Sequence, residues 1–317
     1  MKKLSIIIPF KGLTEKELTP ALSSLNGQIG IDFSTLDLHL INDGGPGIDI
    51  SKFDILSNLN VTYHELALNV GPGMARQYGI DHSDGEYILF IDSDDELHYT
   101  GALLDFYNVL KESGDHQLII GRYIQQQKNS DGDFRYFVHD ESDTKAVYAK
   151  MYKRSYLESL GLSFHPKLRL FEDNYFVGLA CECASDIYYL KSVVYSWLYN
   201  PDSLVRSTAN FFSRQTAIVP QAMRYYFEFL QPRFPEKINL EDYVVNMYLR
   251  STRLEPADTV EFWQSHISLM TEFKNKLNSD VKKLQVKVNQ ACQSDPFWQG
   301  TDASGFAAFY RKSVMPL

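Results

Sequence analysis

The sequence predicts an α/β fold, a doubly wound and mostly parallel sheet followed by a helical C-terminal region. Three observations carry this expectation. Short apolar, β-rich runs alternate with helix-period patterns through the first half of the chain. One of these runs ends abruptly in a cluster of carboxylates, which suits a strand end at the ligand crevice of an open sheet. From about residue 210 the strand-like runs give way to successive amphipathic stripes.

The strand expectations are residues 4–8, 36–41, 61–65, 87–91 and 117–121, each a short apolar or β-branched run bounded by turn residues. Between them, Thr14 and Glu17 are spaced as a capping box, and Pro72 suits a first helical position. Leu103, Phe106, Tyr107 and Leu110 fall at helical spacing, with Gly114 as a stop. Residues 122–127 and 134–138 read as a hairpin turning at Asp131-Gly132. A helix near residues 172–184 precedes two further strand-like runs at 187–190 and 193–198. The helical part shows Met223, Tyr226, Phe227 and Leu230, then Val244, Met247 and Tyr248, then Trp263, Ile267 and Met270, then Val281, Leu284, Val288 and Ala291. We therefore divide the chain into a catalytic candidate, residues 1–209, and a helical domain, residues 210–317.

Composition narrows the function classes. The 317 residues, 44% of them hydrophobic, can bury a large core, which excludes disorder and small disulfide scaffolds. A formal charge of -9 argues against an extended nucleic-acid footprint. Three cysteines offer no disulfide framework, and a reducing cytoplasm fits them best. The opening MKKLSIIIPF imitates a signal peptide, but its apolar stretch is short, broken by Pro9 and followed by Lys11.

The chemistry-bearing residues cluster at the ends of the expected strands. Asp92 and Asp94 in Ile91-Asp92-Ser93-Asp94-Asp95 would share a face if strand geometry continued through them, and could hold a hard divalent cation against phosphate oxygens. After the second strand, Asn42-Asp43-Gly44-Gly45 forms a glycine-rich turn in which Asp43 can accept an N–H from a base. After the third, Asn69-Val70-Gly71-Pro72-Gly73-Met74-Ala75-Arg76 opens a helix and brings a guanidinium toward the same crevice. Its glycines lack the dinucleotide-binding spacing. Glu172-Asp173 stands at an expected helix start, where the macrodipole favours the ionised form.

This order of motifs, from Ser5-Ile6-Ile7-Ile8-Pro9-Phe10 through Asn42-Asp43-Gly44, Asn69-x-Gly71-x-Gly73-x-Ala75-Arg76 and Asp92-Ser93-Asp94-Asp95 to Phe171-Glu172-Asp173, resembles family 2 of the glycosyltransferases, which have the GT-A fold. The resemblance covers roughly residues 1–206. It implies an inverting enzyme using a nucleotide-sugar donor, most simply a UDP-sugar, a divalent cation (Mn2+ or Mg2+), and a glycan or lipid-linked acceptor in surface polysaccharide assembly. It further implies that Asp43 reads the base; that Pro9, Phe10, Gly71, Arg76, Asp92 and Ser93 surround the nucleotide; that Asp94 holds the metal; and that Asp173 is the catalytic base. Ser203 and Arg206 match a late loop over the diphosphate, while Glu172 and His165 fall on the acceptor side. The chain departs from many relatives at Lys11 and Asn42.

Lys274, Lys276, Lys282, Lys283 and Lys287 form a basic run in the acidic chain. A solvated helix face explains it, with docking to an anionic membrane as the sharper alternative. The helical aromatics suit an oligomer interface or a sugar-binding wall. The rival functions are a metal-dependent nucleotidyltransferase, disfavoured because no lysine-bearing phosphate loop follows the first strand, and a non-catalytic nucleotide-sugar or glycan-binding scaffold.

Overall fold

The structure is a computed structural model describing residues 3–201, 203, 218–254, 259–278, 280–295 and 297–316. It divides into two compact units, Met1–Asn200 and Pro201–Leu317.

Nine strands of the first unit form one sheet: β1 (Leu4–Phe10), β2 (Leu36–Asn42), β3 (Val61–Glu65), β4 (Tyr87–Phe90), β5 (Glu96–Leu97), β6 (Leu118–Lys128), β7 (Phe134–His139), β8 (Lys150–Lys153) and β9 (Ile187–Trp197). Their order is β3-β2-β1-β4-β8-β6-β9-β5, with β7 paired to β6. The first four strands in that order are parallel, the expected doubly wound half. Beyond β4 the short strand β8 is antiparallel to both β4 and β6, while β6 and β9 run parallel. The runs expected at 187–190 and 193–198 are one strand, β9, whose register shifts opposite Gly121 and Arg122.

β1 and β4 are buried along their whole length, with Gly79 of one helix packed against Ile7 and Phe176 of another against Phe90. Leu4, Ile6, Ile7 and Ile8 are fully buried, each stabilising the unit by about 1.5–3 kcal/mol. Helices α1 (Glu15–Asn26), α2 (Pro72–Asp81), α3 (Ala102–Glu112), α4 (Arg154–Leu160) and α5 (Glu172–Cys183) join the strands. Thr14 and Glu17 form the expected capping box, the Glu17 carboxylate accepting the Thr14 N–H at 2.8 Å. Pro72 opens α2 behind Gly71, whose φ of +92° is costly for any other residue.

The second unit contains α6 (Ile218–Leu230), α7 (Leu240–Arg253), α8 (Thr259–Glu272), α9 (Val281–Ser294) and α10 (Phe306–Ser313). Phe227, Leu230, Val244, Met247, Leu284 and Val288 are buried as their spacing predicts. In α8 the expected stripe holds at Met270, which is buried, and shifts by one position over the two preceding turns. Phe262, His266 and Leu269 are buried, whereas Trp263 is half-buried and Ile267 exposed. The interior accepts His266 because the Tyr243 hydroxyl bonds its Nδ1. Within the basic run, Lys276 donates to the Pro235 carbonyl and Lys287 pairs with Glu241 and Asp242. No helix among the described residues is long and apolar enough to cross a membrane.

Candidate active site

β1, β2, β3 and β4 run in parallel, so their C-terminal ends present the loops that follow them at one edge of the sheet. At the end of β2, Asn42 uses its whole carboxamide: Nδ2 donates to the Gly45 and Pro46 carbonyls of the following loop and to the Tyr63 hydroxyl on β3, and Oδ1 accepts the Gly45 N–H. An aspartate could not make those donations, which gives the departure at this position a structural reason. Asp43, 3% exposed, accepts the N–H groups of Val70 (2.7 Å) and Gly71 (3.0 Å). It thereby holds the glycine-rich entry to α2 against the end of β2. Pro9 and Phe10 are buried at the end of β1, and the Phe10 ring lies 6.4 Å from that of Tyr63. Arg169 donates to the side chain and carbonyl of Asn69 at the start of the same glycine-rich entry.

The carboxylate motif is a turn. β4 ends at Phe90, and the Asp95 N–H closes onto the Asp92 carbonyl at 3.0 Å. Strand alternation therefore does not govern Asp92 and Asp94, and the expectation that they share a strand face is corrected. Asp92 accepts from Arg76 at 2.7 Å, whereas Asp94 accepts from Asn200 Nδ2 at 2.7 Å. Asp95 lies inside, bonded by the Tyr195 hydroxyl (2.8 Å) and the Leu198 N–H (2.8 Å). The Tyr195 hydroxyl also accepts the Asp92 N–H, so β9 holds the turn from below. Burial, then the neighbouring Asp92 and Asp94 charges, pushes the Asp95 carboxyl well above its usual range. Ser93 is buried within this turn.

Arg76 is the centre of the site. It is 5% exposed, and its guanidinium reaches Asp92 on one side and Glu172 Oε1 (3.4 Å) on the other. The Phe164 ring lies 6.0 Å from it. α5 is fixed beneath β4 by a cluster of Phe90, Phe164 and Phe176, with Phe164 and Phe176 stacked at 4.1 Å. Phe171, at the N-cap of α5, has a left-handed φ of +60°, a conformation that costs a non-glycine residue about 1–2 kcal/mol. Gly73 permits the contact between α2 and α5, since a Cβ there would stand 2.7 Å from Glu172 Cγ.

Glu172 and Asp173 occupy the first turn of α5, as expected, but their protonation runs opposite to the macrodipole expectation. Burial, then the adjacent Asp173 charge, pushes Glu172 up to about 7 despite Arg76. Burial likewise raises Asp173, against the pull of Arg76. Desolvation outweighs a helix terminus worth about 0.3–1 kcal/mol. Asp173 is half-buried and accepts the Asn174 N–H at 3.1 Å. His165 is half-buried with its ring edge-on to Tyr175, and burial followed by Lys167 lowers its pKa.

Asp92, Arg76, Glu172 and the α5 start are therefore brought together, with Asp94 two residues from Asp92 and Asp43 at the base of the α2 entry. Ser203 belongs to the second unit, and Arg206 lies outside the described residues. Sequence reasoning missed Tyr195 and Asn200, which hold the carboxylate turn from about a hundred residues away. It also missed the pairing of Arg76 with Glu172.

The comparisons agree with this architecture. The family model described as Glycosyl transferase family 2 matches residues 5–175. The poly(ribitol-phosphate) beta-N-acetylglucosaminyltransferase TarP of Staphylococcus aureus (strain N315) is 32% identical over 194 residues, which cover 56% of this chain and 56% of TarP. The putative glycosyltransferase EpsH of Bacillus subtilis (strain 168) is 27% identical over an alignment covering 94% of this chain and 86% of EpsH. Among solved structures, S. aureus TarS superposes with a TM-score of 0.64 at 17% identity, covering 98% of this chain and 54% of TarS, a likeness of fold. The chain thus spans about half the length of TarP and of TarS. With the family model matching more than half of its residues, the chain belongs to glycosyl transferase family 2.

Proposed function

We propose that the chain is an inverting glycosyltransferase that moves a sugar from a UDP-linked donor to a hydroxyl of a cell-surface glycan or polymer. The observation that carries this reading is the single buried guanidinium of Arg76, shared between the carboxylate turn after β4 and the acidic start of α5. Two functions that such a transfer needs, holding the leaving diphosphate and removing the acceptor proton, are thereby tied into one rigid unit. The relatives support the donor and polymer classes: TarP is named for N-acetylglucosamine transfer to poly(ribitol phosphate), and a TarS fragment has been solved with UDP-GlcNAc.

Pro9, Phe10, Asp43 and Gly71 form the base end. Asp43 spends one lone pair of each oxygen on the Val70 and Gly71 N–H groups, and each oxygen retains another. Asp92 and Ser93 lie at the ribose. Asp173 accepts the proton of the attacking hydroxyl. Its raised pKa makes it a stronger base than an ordinary aspartate, at the cost of a smaller ionised fraction near neutrality. Glu172, pressed against Arg76, holds the start of α5 in place.

A divalent cation fits the residues present. Asp94 is a hard oxygen donor oriented by Asn200, as ligating carboxylates are by their hydrogen-bond partners. Among the described residues no group of three or more His, Cys, Asp or Glu side chains forms a metal cage. Magnesium characteristically uses one or two carboxylates plus substrate phosphates. Asp94 would be the protein ligand, and a bound Mn2+ or Mg2+ supplies offsetting charge for the departing diphosphate.

The decisive experiment is a nucleotide-sugar panel with manganese or magnesium, scored by nucleoside diphosphate release. Release from a UDP-sugar that an added acceptor accelerates supports the reading. Pyrophosphate release from a nucleoside triphosphate, or UDP-sugar binding without turnover for any acceptor, refutes it.

A further inference from the structure

β6 outruns the strands beside it. β8 pairs with it only over Leu118–Ile120, yet β6 continues to Lys128, keeping β9 on one side as far as Gln125 and taking β7 on the other. Because β4 and β6 are both antiparallel to β8, β6 points the same way as β4. The β6–β7 ribbon therefore projects beyond the edge at which Asp92 and Asp94 stand. Its tip is closed by Asn129, whose Oδ1 accepts the Asp131 and Asp133 N–H groups.

The ribbon is aromatic where it meets water. Tyr136 is 57% exposed and Phe134 49%, and the pairing register puts both on the face that carries Gln126 and Lys128. Val138 continues this face, and Phe137 is exposed on the other. The surface is tied to the active-site turn by a short chain of contacts. Gln126 Nε2 donates to the Tyr136 hydroxyl (3.0 Å), and Gln126 Oε1 accepts the Tyr199 N–H (3.0 Å). The Tyr199 ring meets Phe134 edge-on at 6.0 Å, and the next residue, Asn200, holds Asp94.

The chemistry of this face selects its occupant. Exposed rings beside a carboxamide and a phenol suit the C–H face and hydroxyls of a sugar ring. Over residues 123–138 Lys128 and Arg135 balance Asp131 and Asp133, and the register places only Lys128 of these on the Tyr136 face. Lys128 also lies over the Phe134 ring at 5.7 Å. An anionic polymer or an anionic membrane would call for a cationic face.

We propose that the β6–β7 ribbon is the acceptor platform, on which Tyr136, with Phe134 and Tyr199 beside it, stacks a neutral pyranose of the acceptor glycan. This rests on the transferase reading above and names its acceptor class.

The test presents the full chain, loaded with UDP and manganese, to an array of immobilised neutral oligosaccharides, to poly(ribitol phosphate) and to anionic-lipid vesicles. Tyr136→Ala, Phe134→Ala and Tyr136→Trp are compared with the parent. Both positions are half exposed, and unchanged melting temperatures and UDP affinities confirm that the fold and donor site are intact. Binding to neutral oligosaccharides that weakens about tenfold in Tyr136→Ala and survives in Tyr136→Trp supports the platform. Capture by the polyanion or the vesicles alone, capture by nothing, or binding unchanged in both alanine variants overturns it. Failure of the parent to bind UDP by calorimetry refutes the transferase reading instead, while sugar capture through Tyr136 remains separately readable.

Discussion

Replacing Glu172 by glutamine should stabilise the protein at alkaline pH and leave it nearly unchanged at acidic pH. Glu172 is held between Arg76 and Asp173 with little access to water, and its pKa is raised from the ordinary 4.5 to about 7. A carboxyl whose folded pKa is raised binds its proton more tightly in the native state. Its contribution to stability is full below pH 4.5 and is lost as pH rises through 7. At about 1.4 kcal/mol for each pH unit, the rise corresponds to about 3 kcal/mol. Glutamine copies the neutral carboxyl and has no proton to lose. For a unit of this size, about 3 kcal/mol is about 6–12 °C in melting temperature. Scanning calorimetry from pH 4.5 to 8.5, which resolves units that melt separately, should show the difference between Glu172→Gln and the parent growing in the variant's favour across that range. A difference that does not change with pH, or that favours the parent increasingly at high pH, would refute the account of Glu172 as a carboxylate ionised against desolvation.

Further outcomes follow from the same geometry. Asp173→Asn should lower transfer by about 10²–10⁴-fold while UDP affinity holds, and the parent's rate should climb with pH through a midpoint above the ordinary aspartate range, because the base works only when ionised. Asp94→Ala should abolish the manganese-dependent part of UDP binding measured by calorimetry and leave the metal-free part; equal loss in both would remove Asp94 from the metal role. Gly73→Ala should cost about 1–3 kcal/mol in urea unfolding, since its methyl would stand 2.7 Å from Glu172 Cγ and 3.2 Å from the Phe164 ring. The same substitution should depress turnover more than UDP binding, because it displaces α5 rather than the base end.

Much of the first unit was legible because β1 and β4 are near-continuous apolar runs, β2 alternates leucines with Asp37 and His39, and each ends in turn residues, so the three stand out without any partner. β8 did not, since Lys-Met-Tyr-Lys is too short and too polar to show a period, and its pairing comes from β4 and β6. The burial of His266 in place of Ile267 in α8 has a comparable origin. Histidine reads as polar, and its burial is supported by the Tyr243 hydroxyl, 23 residues earlier. At the site, the residue types were legible but their partnerships were not. Arg76 and Glu172 are 96 residues apart, and nothing local to either announces the other. The direction of the Asp173 and Glu172 shifts was misread because desolvation belongs to the packed structure, whereas the helix dipole can be inferred from position alone.

Sharing one guanidinium has a consequence for energetics. Whatever changes the charge that Arg76 meets at Asp92 changes what it can offer Glu172, so a nucleotide bound at Asp92 as proposed above would be thermodynamically linked to the proton affinity of Glu172. Linkage is reciprocal: if donor uptake moves protons at α5, then donor affinity must itself vary with pH, by an amount set by the number of protons moved. Donor uptake would then carry a buffer-dependent heat, and the empty and loaded enzymes would titrate as different acids.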